Sequence, residues 1–129
     1  MKVTDKEIQS VVKLTAFDRY EYFIKRVADS EKMYSLTHPD GEWALAETEG
    51  EKLFSLWSDK EYAILNTAGG WEGCTVKEIT IEFFQNELQK LIEKEGFLLN
   101  VFPLNDMTGF VLDIDEFDRD LKEELLKYE

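Results

Sequence analysis

The sequence predicts an α+β fold, an antiparallel or mixed sheet of five to six short strands packed by four to five helices, in a single domain over residues 1–129. Three observations predict it. Apolar residues recur at helical spacing in some stretches and at a period of two in others. A helix-start signature appears at three separate places. No Ser/Gly/Pro-rich linker or long repeat divides the chain, whose length is that of one domain.

The first helix is expected over residues 4–13, with Ile8, Val11 and Val12 on one side. Its start, VTDKEI (3–8), reads as a capping box with a hydrophobic staple. The Thr4 hydroxyl accepts from the amide of Glu7, the Glu7 carboxylate returns to the cap amide, and Val3 packs on Ile8. A second helix covers 16–29, where Phe17, Tyr20, Phe23, Ile24 and Val27 make one aromatic face. The period then changes to two. Residues 32–37, 42–47 and 52–57 read as strands separated by the turns HPDG and TEGE, and are expected to form an antiparallel meander.

WSDKEY (57–62) resembles a small active site, but its spacing repeats that of the first helix start. Ser58 is placed at the N-cap, Glu61 at N3, and Trp57 and Tyr62 at the staple positions, opening a helix that ends near Asn66. TAGGWEG (67–73) is a glycine-rich loop and CTVKEI (74–79) a strand. Residues 81–95 form a long helix with Ile81, Phe84, Leu88, Leu91 and Ile92 on one face and Gly96 just past its end. FLLNVFP (97–103) and GFVLD (109–113) are strands around LNDMT, with Pro103 marking a strand end or sheet edge. The third helix start is LDIDEF (112–117), with Asp113 as cap and Glu116 at N3. It opens a last helix, 114–127, that buries Ile114, Phe117, Leu121 and Leu125 and turns acids outward among Arg119, Lys122 and Lys127.

Hydrophobic residues make up 43% of the chain and aromatics 13%, enough to fill a core without metal or disulfide staples. The net charge of −13 argues against nucleic acid and anionic membrane surfaces as ligands and favours a cationic partner. The single cysteine, Cys74, fits a reducing compartment. No run reaches transmembrane length and the first residues hold no signal-peptide core, so the cytoplasm is the expected location.

Catalytic and metal chemistry find little support. One His and one Cys cannot make a zinc site of ordinary composition, and DIDEFDRD (113–120) departs from a calcium loop at Phe117 and Asp118. No G-x-S-x-G elbow, P-loop or G-x-G-x-x-G is present. His38 reads as a solvated turn residue. Cys74 reads as a semi-buried small hydrophobe; a pair with His38 is conceivable in space, but nothing local supports it. Arg19 and Arg26, seven apart on one helix face, could clamp an anion or form ordinary surface pairs, with Asp29 in reach of Arg26. Trp71 is either a contact anchor or a lid folded back on the core.

The segments DRYEYFIKRVADSEKMYSL, EGEKLFSLWSDKEYA and ITIEFFQNELQKLIEKEGFLLNVFP resemble the bacterial family known as domain of unknown function 2750, over about residues 17–125. That resemblance implies no reaction. At the level of fold the chain is similar to the N-terminal domain of the serine-sensitivity enhancer family, where a strand leads into a capped helix and a later helix precedes a G-x-L-x-N strand, here Gly96 to Asn100. This implies a small sheet domain used for interactions rather than catalysis.

The expectation is therefore a non-catalytic protein-binding module, of inhibitor or immunity type, with no metal or other cofactor. Its partner is a basic protein, or a second copy in a homodimer. Trp71, Glu72, Arg19, Arg26 and Asp118 are the candidate contact residues; Thr4, Glu7, Ser58, Glu61, Asp113 and Glu116 are structural caps. The alternative is a small-molecule-binding protein or enzyme with a pocket near residues 67–74, motivated by three glycines, Trp71 and Cys74.

Overall fold

A computed structural model describes residues 3–67, 71–105 and 107–128, so Gly69 and Gly70 of the glycine-rich loop and Asp106 of the LNDMT turn lie outside the described residues. The chain is α+β, with six strands in two sheets among the described residues. Helix α1 is Asp5–Val11 and α2 is Ala16–Ser30. The hydroxyls of Thr4 and Thr15 each accept from the amide three residues on, both at 3.2 Å, and so satisfy a donor that a helix start leaves free.

Strand β1 (Lys32–Thr37) pairs antiparallel with β4 (Thr75–Thr80), from Lys32 opposite Thr80 to Thr37 opposite Thr75. In the second sheet the order is β2 (Leu45–Thr48), β3 (Glu51–Leu56), β5 (Leu98–Val101) and β6 (Phe110–Leu112). β3 runs parallel to β5 and the other neighbours are antiparallel. The β2–β3 turn holds Glu49 at φ 51° and Gly50 at φ 81°, the two positive values that match the twist of a two-residue hairpin.

The expected three-strand meander is thus only half present. β1 takes β4 as its ladder partner and meets the β2–β3 hairpin at the isolated bridges Thr37–Trp43 and Tyr34–Trp57. β1 therefore runs past the two ends of the hairpin instead of along β2, which stays at the edge of its sheet. β3 is the interior strand: Leu53, Phe54, Ser55 and Leu56 are all buried, and its second edge is occupied by β5.

Helix α3 is Lys60–Ile64. A continuous helix follows β4, made of α4 (Ile81–Phe83), a π-helical turn (Phe84–Leu88) and α5 (Gln89–Glu95). Gly96 closes it at φ 72°. Helix α6 is Ile114–Leu126, its start capped by Asp113 Oδ1, which accepts from Glu116 N at 2.9 Å. The core is a single cluster whose largest members, Trp57, Tyr62, Phe23, Phe54, Phe84, Phe102 and Phe117, are fully buried. Each such side chain contributes roughly 1.5–3 kcal/mol, so these rings dominate the stability.

The chain leaves β5 through a strained joint. Phe102 is buried with φ 61°, a left-handed conformation that costs a bulky residue about 1–3 kcal/mol. Its surroundings hold it there. Its N–H donates to Leu56 O at 2.8 Å, its carbonyl accepts from Arg19 Nε at 3.1 Å, and its ring packs 4.7 Å from that of Tyr62. Next to it, Trp57 Nε1 donates to Pro103 O at 2.9 Å. Just before β6, Gly109 leaves no room for a Cβ, which would run into the Val101 carbonyl.

Candidate functional site

Ser58, Asp59 and Tyr62 of WSDKEY join a cluster that spans three helices. Arg26 on α2 grips Asp59 with two hydrogen bonds, Nε to Oδ1 at 3.0 Å and Nη2 to Oδ2 at 2.8 Å, and lies 3.6 Å from Glu7 Oε2. Tyr22 donates to that Glu7 oxygen at 2.6 Å, and its hydroxyl is 3.0 Å from that of Tyr62. Ser58 Oγ donates to Asp59 Oδ1 at 2.8 Å. The hydrogen bond to Asp59 raises the Arg26 guanidinium above its ordinary range, so it stays charged. Burial raises both tyrosine hydroxyls, so they stay protonated and are poor bases.

This cluster corrects the cap assignment at Ser58. Ser58 is buried one position before the N-cap, which is Asp59, and Asp59 makes no side-chain cap bond. The reason is Arg26, which claims the Asp59 carboxylate. Asp59 closes the first turn through its carbonyl alone, which accepts from Tyr62 N and Ala63 N. Glu61 stands in that first turn but caps nothing. Glu7 likewise turns its carboxylate to Tyr22 and Arg26, while Thr4 supplies the cap. The Asp59 carboxylate that accepts from the Ser58 hydroxyl is itself held by both Arg26 hydrogen bonds, so the ion pair makes it a weak base toward Ser58. The chemistry of the cluster is to bolt α1, α2 and α3 together.

The five residues expected at a contact site are not gathered. No hydrogen bond, ion pair or ring contact joins any two of them among the described residues. Arg19 is neither an anion clamp nor a surface residue. It is 2% exposed and donates to the carbonyls of Phe102 and Leu14, because the turn at Phe102 needs a donor there. Arg26 reaches Asp59 rather than Asp29. Trp71 is half-buried and meets Trp57 edge to face at 6.0 Å, as a lid on the core. Glu72 is exposed. Asp118 Oδ2 pairs with Lys122 at 2.9 Å within α6, leaving Oδ1 buried without a partner.

Two further arrangements depend on how distant segments meet. The first is the only Cys beside the only His, a pair conceivable from the sequence but with nothing local to mark it: Cys74 Sγ lies 3.5 Å from His38 Nδ1. The β1–β4 register explains it, since Thr37 faces Thr75 and the next pair outward is His38 and Cys74. Burial pushes the Cys74 thiol up, which disfavours thiolate. Among the described residues no group of three or more His, Cys, Asp or Glu could hold a metal ion.

The second is a groove of about 300 Å3 between α2 and α6. Phe17, Tyr20 and Ile24 give it an apolar floor, and Glu21, Asp120, Glu123 and Glu124 give it acidic walls, with Lys25 and Lys127 at the rim. Phe17 is 50% exposed, with its ring 5.3 Å from Phe110. Tyr20 is buried and donates to Asp120 Oδ2 at 2.6 Å; burial and that bond raise its hydroxyl well above the ordinary tyrosine range. Lys127 pairs with Glu124 at 3.1 Å. Glu21 and Glu123 have no side-chain partner among the described residues. The lining residues follow helical spacing, with 17, 20, 21 and 24 on α2 and 120, 123 and 124 on α6, whose C-cap is Lys127. That spacing is the signal by which each face could have been recognised.

A family model described as a protein of unknown function (DUF2750) matches residues 20–121. The chain belongs to the DUF2750 family. No curated protein matches it. The matched region of this DUF2750 chain holds most of the Arg26 cluster and the α6 wall of the groove as far as Asp120, while Glu7, Phe17, Glu123, Glu124 and Lys127 lie outside it. No helix among the described residues is long and apolar enough to cross a membrane.

Proposed function

We propose that this chain is a non-catalytic protein-binding module of the bacterial cytoplasm, of inhibitor or immunity type, which docks a basic partner on the face formed by α2 and α6. The groove carries this reading. It combines exposed apolar surface with carboxylates that the fold leaves without a cation. Helix α6 bears six acids against two bases, and the whole chain carries −13, so a cationic surface is attracted and steered there. Affinity capture from a bacterial lysate, followed by cross-linking, tests it. The expected result is a basic protein cross-linked to α2 and α6, captured less well at high salt. Cross-links that map elsewhere, or capture indifferent both to salt and to Glu123→Lys, would overturn it.

The contact between Cys74 and His38 favours a second reading, a small-molecule-binding protein or enzyme that uses this pair. Its test is the iodoacetamide reaction rate of Cys74 against pH. A thiol activated by His38 reacts rapidly at neutral pH and slows in His38→Ala. A thiol merely buried beside it reacts only toward alkaline pH and ignores the substitution.

A further inference from the structure

Resting on the docking face just described, we propose that the groove between α2 and α6 reads an arginine side chain presented by the partner. The groove is amphipathic in the way that arginine is. An arginine carries an apolar stem ending in a planar, weakly hydrated cation. The stem fits the floor of Tyr20 and Ile24, and the half-exposed Phe17 ring offers a face on which a guanidinium can stack.

The charges divide in the same sense. Of the four acids, Glu124 is held by Lys127 and Asp120 by the Tyr20 hydroxyl, which leaves Glu21 on one wall and Glu123 on the other to receive a cation. A guanidinium presents several N–H donors in one plane, so it can bond more than one carboxylate and still offer its face to a ring. A lysine ammonium is compact and strongly hydrated. It gains less from the ring and can bond the two walls only by giving up its water.

The experiment uses the full chain and three alanine-rich helical peptides identical except at one central position, which holds arginine, lysine or the uncharged isostere citrulline. Binding is followed by backbone amide shifts in 15N-labelled protein. Arginine is expected to bind on the order of tenfold more tightly than lysine, with shifts confined to α2 and α6, and citrulline not to bind. Phe17→Ala should remove the preference while leaving weak binding of both cations. Glu21→Gln with Glu123→Gln should abolish binding of both. Equal affinity for arginine and lysine in the groove, or a preference that survives Phe17→Ala, would overturn the arginine assignment and leave the docking face standing. Shifts away from α2 and α6 would overturn both.

Discussion

The Arg26 cluster and the α2–α6 groove are built from the same materials, acids, tyrosines and cations on helices, yet they differ in one respect. In the cluster Asp59, Glu7, Tyr22 and Ser58 face one another and Arg26, and few polar atoms look outward. In the groove the tyrosine and one lysine are satisfied, but Glu21 and Glu123 face solvent. A charge whose partner lies within the fold holds the fold together. A charge the fold leaves unpartnered costs little in water and remains available to another molecule.

Breaking the cluster is expected to have the largest effect. Arg26→Met strands the Asp59 carboxylate in a site where it is only 13% exposed, and should cost about 2–3 kcal/mol, the lower end for a buried pair because Arg26 retains some solvent contact. Urea unfolding measures this, and a loss under about 0.5 kcal/mol would mean the three helices are held by packing alone.

The alkaline limit comes next. Tyr20, Tyr22, Tyr34 and Tyr62 all have hydroxyls raised in the folded state, chiefly by burial. A group raised on folding contributes stability that is full below its unfolded pKa, near 10 for tyrosine, and is lost as the pH climbs through the folded value. Stability should therefore fall above about pH 10, and tyrosinate absorbance from these four should rise together with loss of near-UV dichroism. Their titration in a chain that stays folded would contradict the burial assigned to them.

Smaller effects separate the two kinds of cap. Thr4→Ala removes a bond to a helix-start amide and should cost about 1 kcal/mol. Glu61→Ala should cost less than about 0.5 kcal/mol, because Glu61 makes no cap bond. Smallest of all, Glu21→Gln with Glu123→Gln should leave the unfolding midpoint within experimental error while removing peptide binding. Stability and binding lost together would erase the distinction between the two regions.

What could be read from the sequence follows the range of the interactions. Thr4 and Asp113 were legible as caps because the hydroxyl or carboxylate and its amide are three residues apart. The hairpin at Glu49–Gly50 and the helix end at Gly96 were legible because glycine is suited to positive φ. Ser58 misled because its neighbour Asp59 answers to Arg26, 33 residues away. Arg19 misled because the carbonyl it serves belongs to Phe102, 83 residues on. The two helix faces that line the groove could be seen separately, but their meeting depends on the core contact of Phe23 with Phe117. The Cys74–His38 contact needed the β1–β4 register, which alternation alone does not give.

The parallel pairing of β3 with β5 has a consequence for how the chain reaches its native state. Leu53 faces Leu98 across 45 residues, and everything from α3 to α5 lies inside that loop. Closing it costs about 3 kcal/mol of chain entropy before any contact rewards it. The β2–β3 hairpin and the helix from Ile81 to Glu95 are local and form early. The central ladder comes late and sets the refolding rate, so a circular permutant that shortened this loop would refold faster even where its final stability was unchanged.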